Sequence, residues 1–67
     1  MFSFSEFLLA RVAKKLGCSM AQIRTMNKKS LSQGQTAYFR NHKGAWNVRP
    51  EGNERLTVLL VGPGLKK

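Results

Sequence analysis

A chain of 67 residues makes one small domain, and with one cysteine (Cys18) and one histidine (His42) it can build neither an internal disulfide nor a four-ligand zinc site. A chain this short buries little surface, so self-association, most simply a homodimer, is the remaining ordinary route to stability. Twelve Lys and Arg against three Glu give a net charge of +9 at pH 7, the electrostatic footprint of a polyanion binder, with a basic tail on an unrelated fold or a membrane-surface peptide as the bland alternatives.

The cations are not confined to a tail; they recur from Arg11 to Lys67. FLLA at 7–10 is too short for a signal-peptide core and LTVLLVG at 56–62 is far short of a membrane span, so neither a targeting segment nor a membrane contact is expected. A lone cysteine fits a reducing cytoplasm, that of a bacterium or a phage-infected host.

The first helix is expected from about Phe4 to Leu16. Ser3 followed by Glu6 reads as a capping box. Phe4, Leu8, Val12 and Leu16 repeat every four residues, and Phe7, Leu9 and Ala13 widen the apolar stripe, leaving Arg11, Lys14 and Lys15 off its centre. Gly17 ends the helix as a residue able to take positive φ. A second helix follows at once, from about Met20 to Lys28, with Ser19 and Gln22 as another capping box, Ile23 and Met26 facing inward, and Gln22, Arg24, Thr25 and Lys28 facing outward. So short a gap makes a bent pair of helices, the helix-turn-helix that sets its second helix in the major groove of DNA.

Residues 29–35, KSLSQGQ, read as a loop that Leu31 anchors to the core. TAYFRN (36–41), a turn at HKG (42–44) and AWNVRP (45–50) read as a β-hairpin. Pro50 and EGNE (51–54) make a further turn into RLTVLLV (55–61), a third strand closed by Gly62, Pro63 and Gly64. In it Leu56, Val58 and Leu60 point one way and Leu59 and Val61 the other. A strand apolar on both faces needs cover on both, so 55–61 is assigned as the dimer-forming strand, with burial inside the chain as the alternative. The fold class is thus α+β: two N-terminal helices forming a helix-turn-helix, then a three-stranded antiparallel sheet made of a hairpin wing and a C-terminal strand, in a single domain over 1–64 with a basic tail at 65–67.

The span 12–28 resembles the helix-turn-helix of small phage repressors such as Cro, with matches at Val12, Ala13, Leu16, Gly17, Cys18, Ile23 and Met26. The motif covers about a quarter of the chain, and the element order most of it. Those repressors carry a further helix before the motif, for which this chain has no room. Two helices followed by a hairpin wing are more similar to phage excisionases and the winged domains of MerR-type regulators. The resemblance implies base contacts from Ser19, Met20, Ala21, Arg24 and Thr25. Arg24 is the foremost of these, because arginine pairs bidentately with guanine; its bland alternative is a solvated helix arginine. Met20 serves equally as core filling. Lys28 and Lys29 fall near the DNA backbone, as do Lys14, Lys15 and Gln22, although Ser19 and Gln22 have the cap as a competing role. Arg40, His42 and Lys43 surround the wing tip and suit phosphate or minor-groove contact, against a solvated turn.

Three carboxylates, one His and one Cys form no acid–base pair at a readable spacing, and GPG at 62–64 precedes no helix, so neither enzyme activity nor a cofactor is expected. Cys18 sits where a small apolar residue belongs and reads as inert. Phe39 and Trp46 read as core, while Tyr38 alternates outward with Arg40. The expectation is therefore sequence-specific binding of double-stranded DNA by a phage or mobile-element transcriptional regulator or recombination accessory factor. The alternatives are RNA or single-strand binding on the sheet face around Tyr38 and Arg40, or a small inhibitor that docks on an acidic host protein.

Overall fold

The computed structural model describes residues 2–65, so Lys66 and Lys67 of the expected tail lie outside the described residues. Helices α1 (Glu6–Leu16) and α2 (Met20–Lys29) lead through a short 3-10 turn (Leu31–Gln33) into strands β1 (Ala37–Asn41), β2 (Gly44–Pro50) and β3 (Leu56–Gly62). The strands form an antiparallel meander in the order β1-β2-β3, giving the α+β layout of two helices followed by a three-stranded sheet.

The start of α1 corrects the sequence pattern. Ser5, not Ser3, is the N-cap, its Oγ accepting from the Leu8 N–H at 3.1 Å. Long-range bonds decide this: the Ser3 N–H donates to Asn53 Oδ1 at 3.2 Å and the Ser5 N–H to Glu54 Oε1 at 3.4 Å. Both donors come from the segment that leads into the helix, so the turn between β2 and β3 holds that segment extended and the helix begins only at Glu6. The buried stripe of α1 is Leu9, Val12, Ala13 and Leu16. Phe7 is 74 % exposed rather than part of it, because two residues from Leu9 is about 200° around a helix.

The core joins that stripe to Ile23 and Met26 of α2, to Leu31, and to Ala37, Trp46 and Val48 of the sheet; Leu9, Leu16, Ile23, Leu31 and Val48 are its fully buried side chains. Leu31 therefore anchors the inter-element segment, which is a 3-10 turn rather than an open loop. Register sorts the sheet into two faces. Ala37, Val48 and Val58 form one row toward the helices, while Tyr38, Asn47 and Leu59 form a row on the opposite face. Phe39 stacks on Trp46 at 6.5 Å on the helix side.

Four strand ends shift by one residue from the sequence pattern: β1 begins at Ala37 rather than Thr36, Gly44 opens β2 instead of sitting in the hairpin turn, and β3 runs from Leu56 to Gly62 rather than 55–61; Pro50 closes β2 as expected. On β3, Trp46 pairs with Leu60 but Ala45 pairs with Gly62, so Val61 is the extra residue of a bulge. Leu56 and Val58 pack partly buried against the core, but Leu59, Leu60 and Val61 are 50 %, 67 % and 50 % exposed. Leu60 was expected beside Leu56 and Val58; it shares a row with Trp46, yet the helices do not cover this end of the edge strand.

Truncating the buried stripe and the exposed phenylalanine should have opposite consequences. Leu9→Ala removes a side chain only 1 % exposed and should cost about 2–5 kcal/mol, whereas Phe7→Ala should stay within about 0.5 kcal/mol. Urea unfolding followed through Trp46 fluorescence measures both. Equal losses would overturn the assignment of the two faces.

Candidate nucleic-acid interface

The turn between the helices is built by Gly17, at φ +77°, whose N–H and that of Cys18 both donate to the Ala13 carbonyl, at 2.8 and 3.0 Å. A side chain here would be strained by the backbone and would also press on the Lys43 side chain, which lies across the glycine at 3.1 Å from an added Cβ. Three residues later α2 opens with a complete capping box. Ser19 Oγ accepts from the Gln22 N–H at 3.2 Å, and Gln22 Oε1 accepts from the Ser19 N–H at 2.9 Å. These two side chains are thus engaged in shaping the helix entry.

Along α2, Ile23 and Met26 are buried and Met20 is half-buried against the core, while Ala21, Arg24, Thr25 and Lys28 are exposed. The Thr25 hydroxyl donates back to the Ala21 carbonyl at 3.0 Å. Arg24 does not extend alone into solvent: its guanidinium donates to Glu6 Oε1 of α1 at 2.7 Å, with both side chains more than half exposed. The Arg24 hydrogen bond, and secondarily its charge, holds the Glu6 carboxyl below its ordinary value despite an opposing desolvation. A base or phosphate at Arg24 must therefore displace a carboxylate that already uses one face of the fork. Lys29 ends the helix exposed, beside Lys28.

The hairpin end does not project away from the helices. Asn41 Nδ2 donates to the Leu16 carbonyl at 2.7 Å, taking up one of the carbonyls left unpaired at the end of α1. Its Oδ1 accepts from the N–H groups of Lys43 and Gly44 at 2.9 and 3.3 Å. The tip is thereby folded against the helix turn, and Lys43 joins Lys14 and Lys15 near the C-terminus of α1, where the helix dipole favours cations. His42 is exposed at the same tip. Arg40 is separated from this group: it alternates with Phe39 and lies with exposed Tyr38 on the sheet face away from the helices.

Two features leave no signature in the sequence pattern. An open groove of about 460 Å³ runs between α2 and β1, lined by Ala21, Thr25, Met26 and Lys29 from the helix and by Phe39 and the exposed edge at Tyr38 from the strand. The Glu6–Arg24 pair spans eighteen positions, and no local pattern announces a pairing at that separation. Cys18 is half-buried; desolvation pushes its thiol up and makes it a poor nucleophile at neutral pH. Among the described residues no three His, Cys, Asp or Glu side chains come together to hold a metal ion, and no helix is long and apolar enough to cross a membrane.

Because the Glu6 carboxyl is held below 4.5, its pair with Arg24 contributes stability above that pH and loses it as the pH falls through the lowered value. A carboxyl-carbon NMR titration should give a Glu6 midpoint below 4.5, and Arg24→Gln should move it up toward 4.5. An unmoved midpoint would exclude the pair in solution.

No family model matches the chain, and neither a curated protein nor a solved structure matches it.

Proposed function

We propose that this protein binds double-stranded DNA through α2, as a homodimer joined at strand 55–61, and serves as a phage or mobile-element transcriptional regulator or recombination accessory factor. The observation that carries the reading is the exposed outer side of α2, bearing Ala21, Arg24, Thr25 and Lys28 on a helix whose entry is fixed by a three-residue turn and a capping box. This is the arrangement a helix needs to lie in a major groove, and it accords with the resemblance of 12–28 to phage helix-turn-helix proteins. Lys14 and Lys43 gather at the helix turn, while Lys28 and Lys29 lie at the far end of α2 and Lys15 lines the cleft between α1 and β3 instead; the first two groups suit phosphates on either side of a groove. Arg24 is the proposed base reader, and Glu6 is its counter-charge in the absence of DNA.

The homodimer rests on the outer edge of β3. Leu59, Leu60 and Val61 are exposed there, and Leu56–Gly62 carries no charged side chain, so two chains of +9 can pair along it without opposing like charges. One further observation favours a second reading. Tyr38, 61 % exposed, stands with Arg40 and Asn47 on a sheet face that no helix covers, a surface suited to stacking on RNA or single-stranded bases.

Binding measured by fluorescence anisotropy on duplex DNA, single strands and RNA separates the two readings. The duplex should bind best, with affinity falling on the order of a thousandfold between about 50 and 200 mM salt if six or more phosphates are engaged. On a site selected from random duplexes, Arg24→Ala should weaken binding by about ten- to a hundredfold while leaving random DNA within about twofold; Glu6→Gln should strengthen both. Equal losses on both duplexes would remove Arg24 as a base reader, and tighter single-strand binding abolished by Tyr38→Ala would replace the duplex reading with the second.

Sedimentation at tens of micromolar should give about twice the 7.5 kDa of the chain, and Leu60→Lys should return it to one chain. A wild-type monomer under these conditions would rule out the β3 dimer.

A further inference from the structure

At the edge of the sheet opposite the α2–β1 groove, α1 and β3 frame a second cleft of about 340 Å³. Its apolar floor includes Val12 and Val58, and its rim carries Arg11, Lys15 and Arg55. Arg11 and Lys15 are four apart on α1 and so lie on one side of that helix. Arg55 is brought to them by the turn between β2 and β3. That turn is closed by the Glu51 N–H donating to the Arg55 carbonyl at 3.0 Å, and it is tied to the segment before α1 through Asn53 and Glu54.

The carboxylate present, Glu54, has a different engagement. Its backbone is held at φ +62°, an uncommon conformation for a side chain of this kind, and its Oε1 accepts from the Ser5 N–H. Among the described residues the ion pairs are Arg24–Glu6 and Arg49–Glu51, neither of which involves the rim. Three cations thus line one concave surface together with Glu54, which is in no ion pair with them, and the Arg11 guanidinium also lies 6.0 Å from the Phe7 ring centroid. Like charges lining one cleft repel unless an anion lies between them, and two guanidiniums with an ammonium supply the charge and the N–H donors that a phosphate group takes up.

We infer that the α1–β3 cleft is a phosphate-binding site held by Arg11, Lys15 and Arg55. The phosphate has two sources. One is the backbone of a second nucleic-acid segment, which rests on the DNA-binding reading and makes the protein a bridge between two duplexes, since α2 and this cleft lie toward opposite edges of the sheet. The other is free phosphate.

Inorganic phosphate is titrated into the full-length chain and followed by amide and arginine side-chain NMR. Saturable shifts are expected at Arg11, Lys15 and Arg55, and Arg55→Gln should weaken the fitted affinity by about tenfold or more, the scale of one lost charge-assisted hydrogen bond. Arg49→Gln removes the same charge away from the cleft and should leave the affinity within about twofold. Arg11→Gln repeats the test from the helix side. Weak unsaturable shifts, or equal weakening by Arg55→Gln and Arg49→Gln, would overturn the site.

The source is read by capture of a labelled duplex on beads that carry a first duplex saturated with protein. Capture lost in both Arg55→Gln and Arg11→Gln, the latter on α1 outside the proposed dimer strand, and kept in Arg49→Gln assigns the site to nucleic acid. Phosphate shifts without such capture assign it to free phosphate. A chain that binds no first duplex defeats the proposed function, while the phosphate titration still decides the cleft.

Discussion

The hydrogen bond from the Asn41 side chain to the Leu16 carbonyl fixes how the two halves of this protein face one another. The helical pair and the sheet share a core, but apolar packing alone allows sliding. A directional bond between the last turn of α1 and the end of β1 does not. The same side chain closes the hairpin turn through its Oδ1, and the Asn41 carbonyl accepts from the Leu65 N–H at 2.9 Å, so helix end, hairpin tip and C-terminal segment converge on one residue. Gly64 passes the His42 carbonyl so closely that a Cβ would collide with it, so the last of these can approach only as glycine. The position of Lys43 over Gly17, and hence the charge around the helix turn, follows from this junction.

The parts of the fold that local chemistry controls were legible in the chain. The Ser19–Gln22 box, the Gly17 turn, the inward Ile23 and Met26 and the outward Tyr38 each follow from rules that act within a few residues. What escaped depends on distant partners. Ser3 stands three residues before Glu6 and makes the local box, whereas Ser5 is followed by Leu8 and makes none; the bonds from the β2–β3 turn override the local pattern. Leu60 obeys strand alternation, but burial also requires a covering layer, which ends before it. The number of cations was plain from composition, whereas their division between helix turn, outer sheet and the α1–β3 cleft is a property of the packing. For Arg24 the exposed position on α2 was legible, and its carboxylate partner was not.

The three glutamates each have a partner: Glu6 has Arg24, Glu51 has Arg49 at 3.4 Å, and Glu54 has the Ser5 N–H. None is left to screen the remaining cations over distance. Such a chain carries repulsion in its folded state, and any polyanion that binds the fold lowers that repulsion and shifts the equilibrium toward it. Charge and stability are therefore coupled throughout this molecule, with the compact state favoured most when the positive surface is occupied.

The tether between the N-terminal segment and the β2–β3 turn has a kinetic consequence. Its bonds join positions fifty and forty-nine residues apart, while the helical pair and the strand meander form among near neighbours. Closing the longer loop costs more entropy, so the tether belongs to the late steps of folding, and its exposed bonds belong to the first to open. Ser5 caps α1 immediately before Glu6. Each opening of the tether therefore loosens the turn that holds Glu6 against Arg24, and a brief local fraying at one end of the chain becomes an intermittent release of the arginine on α2.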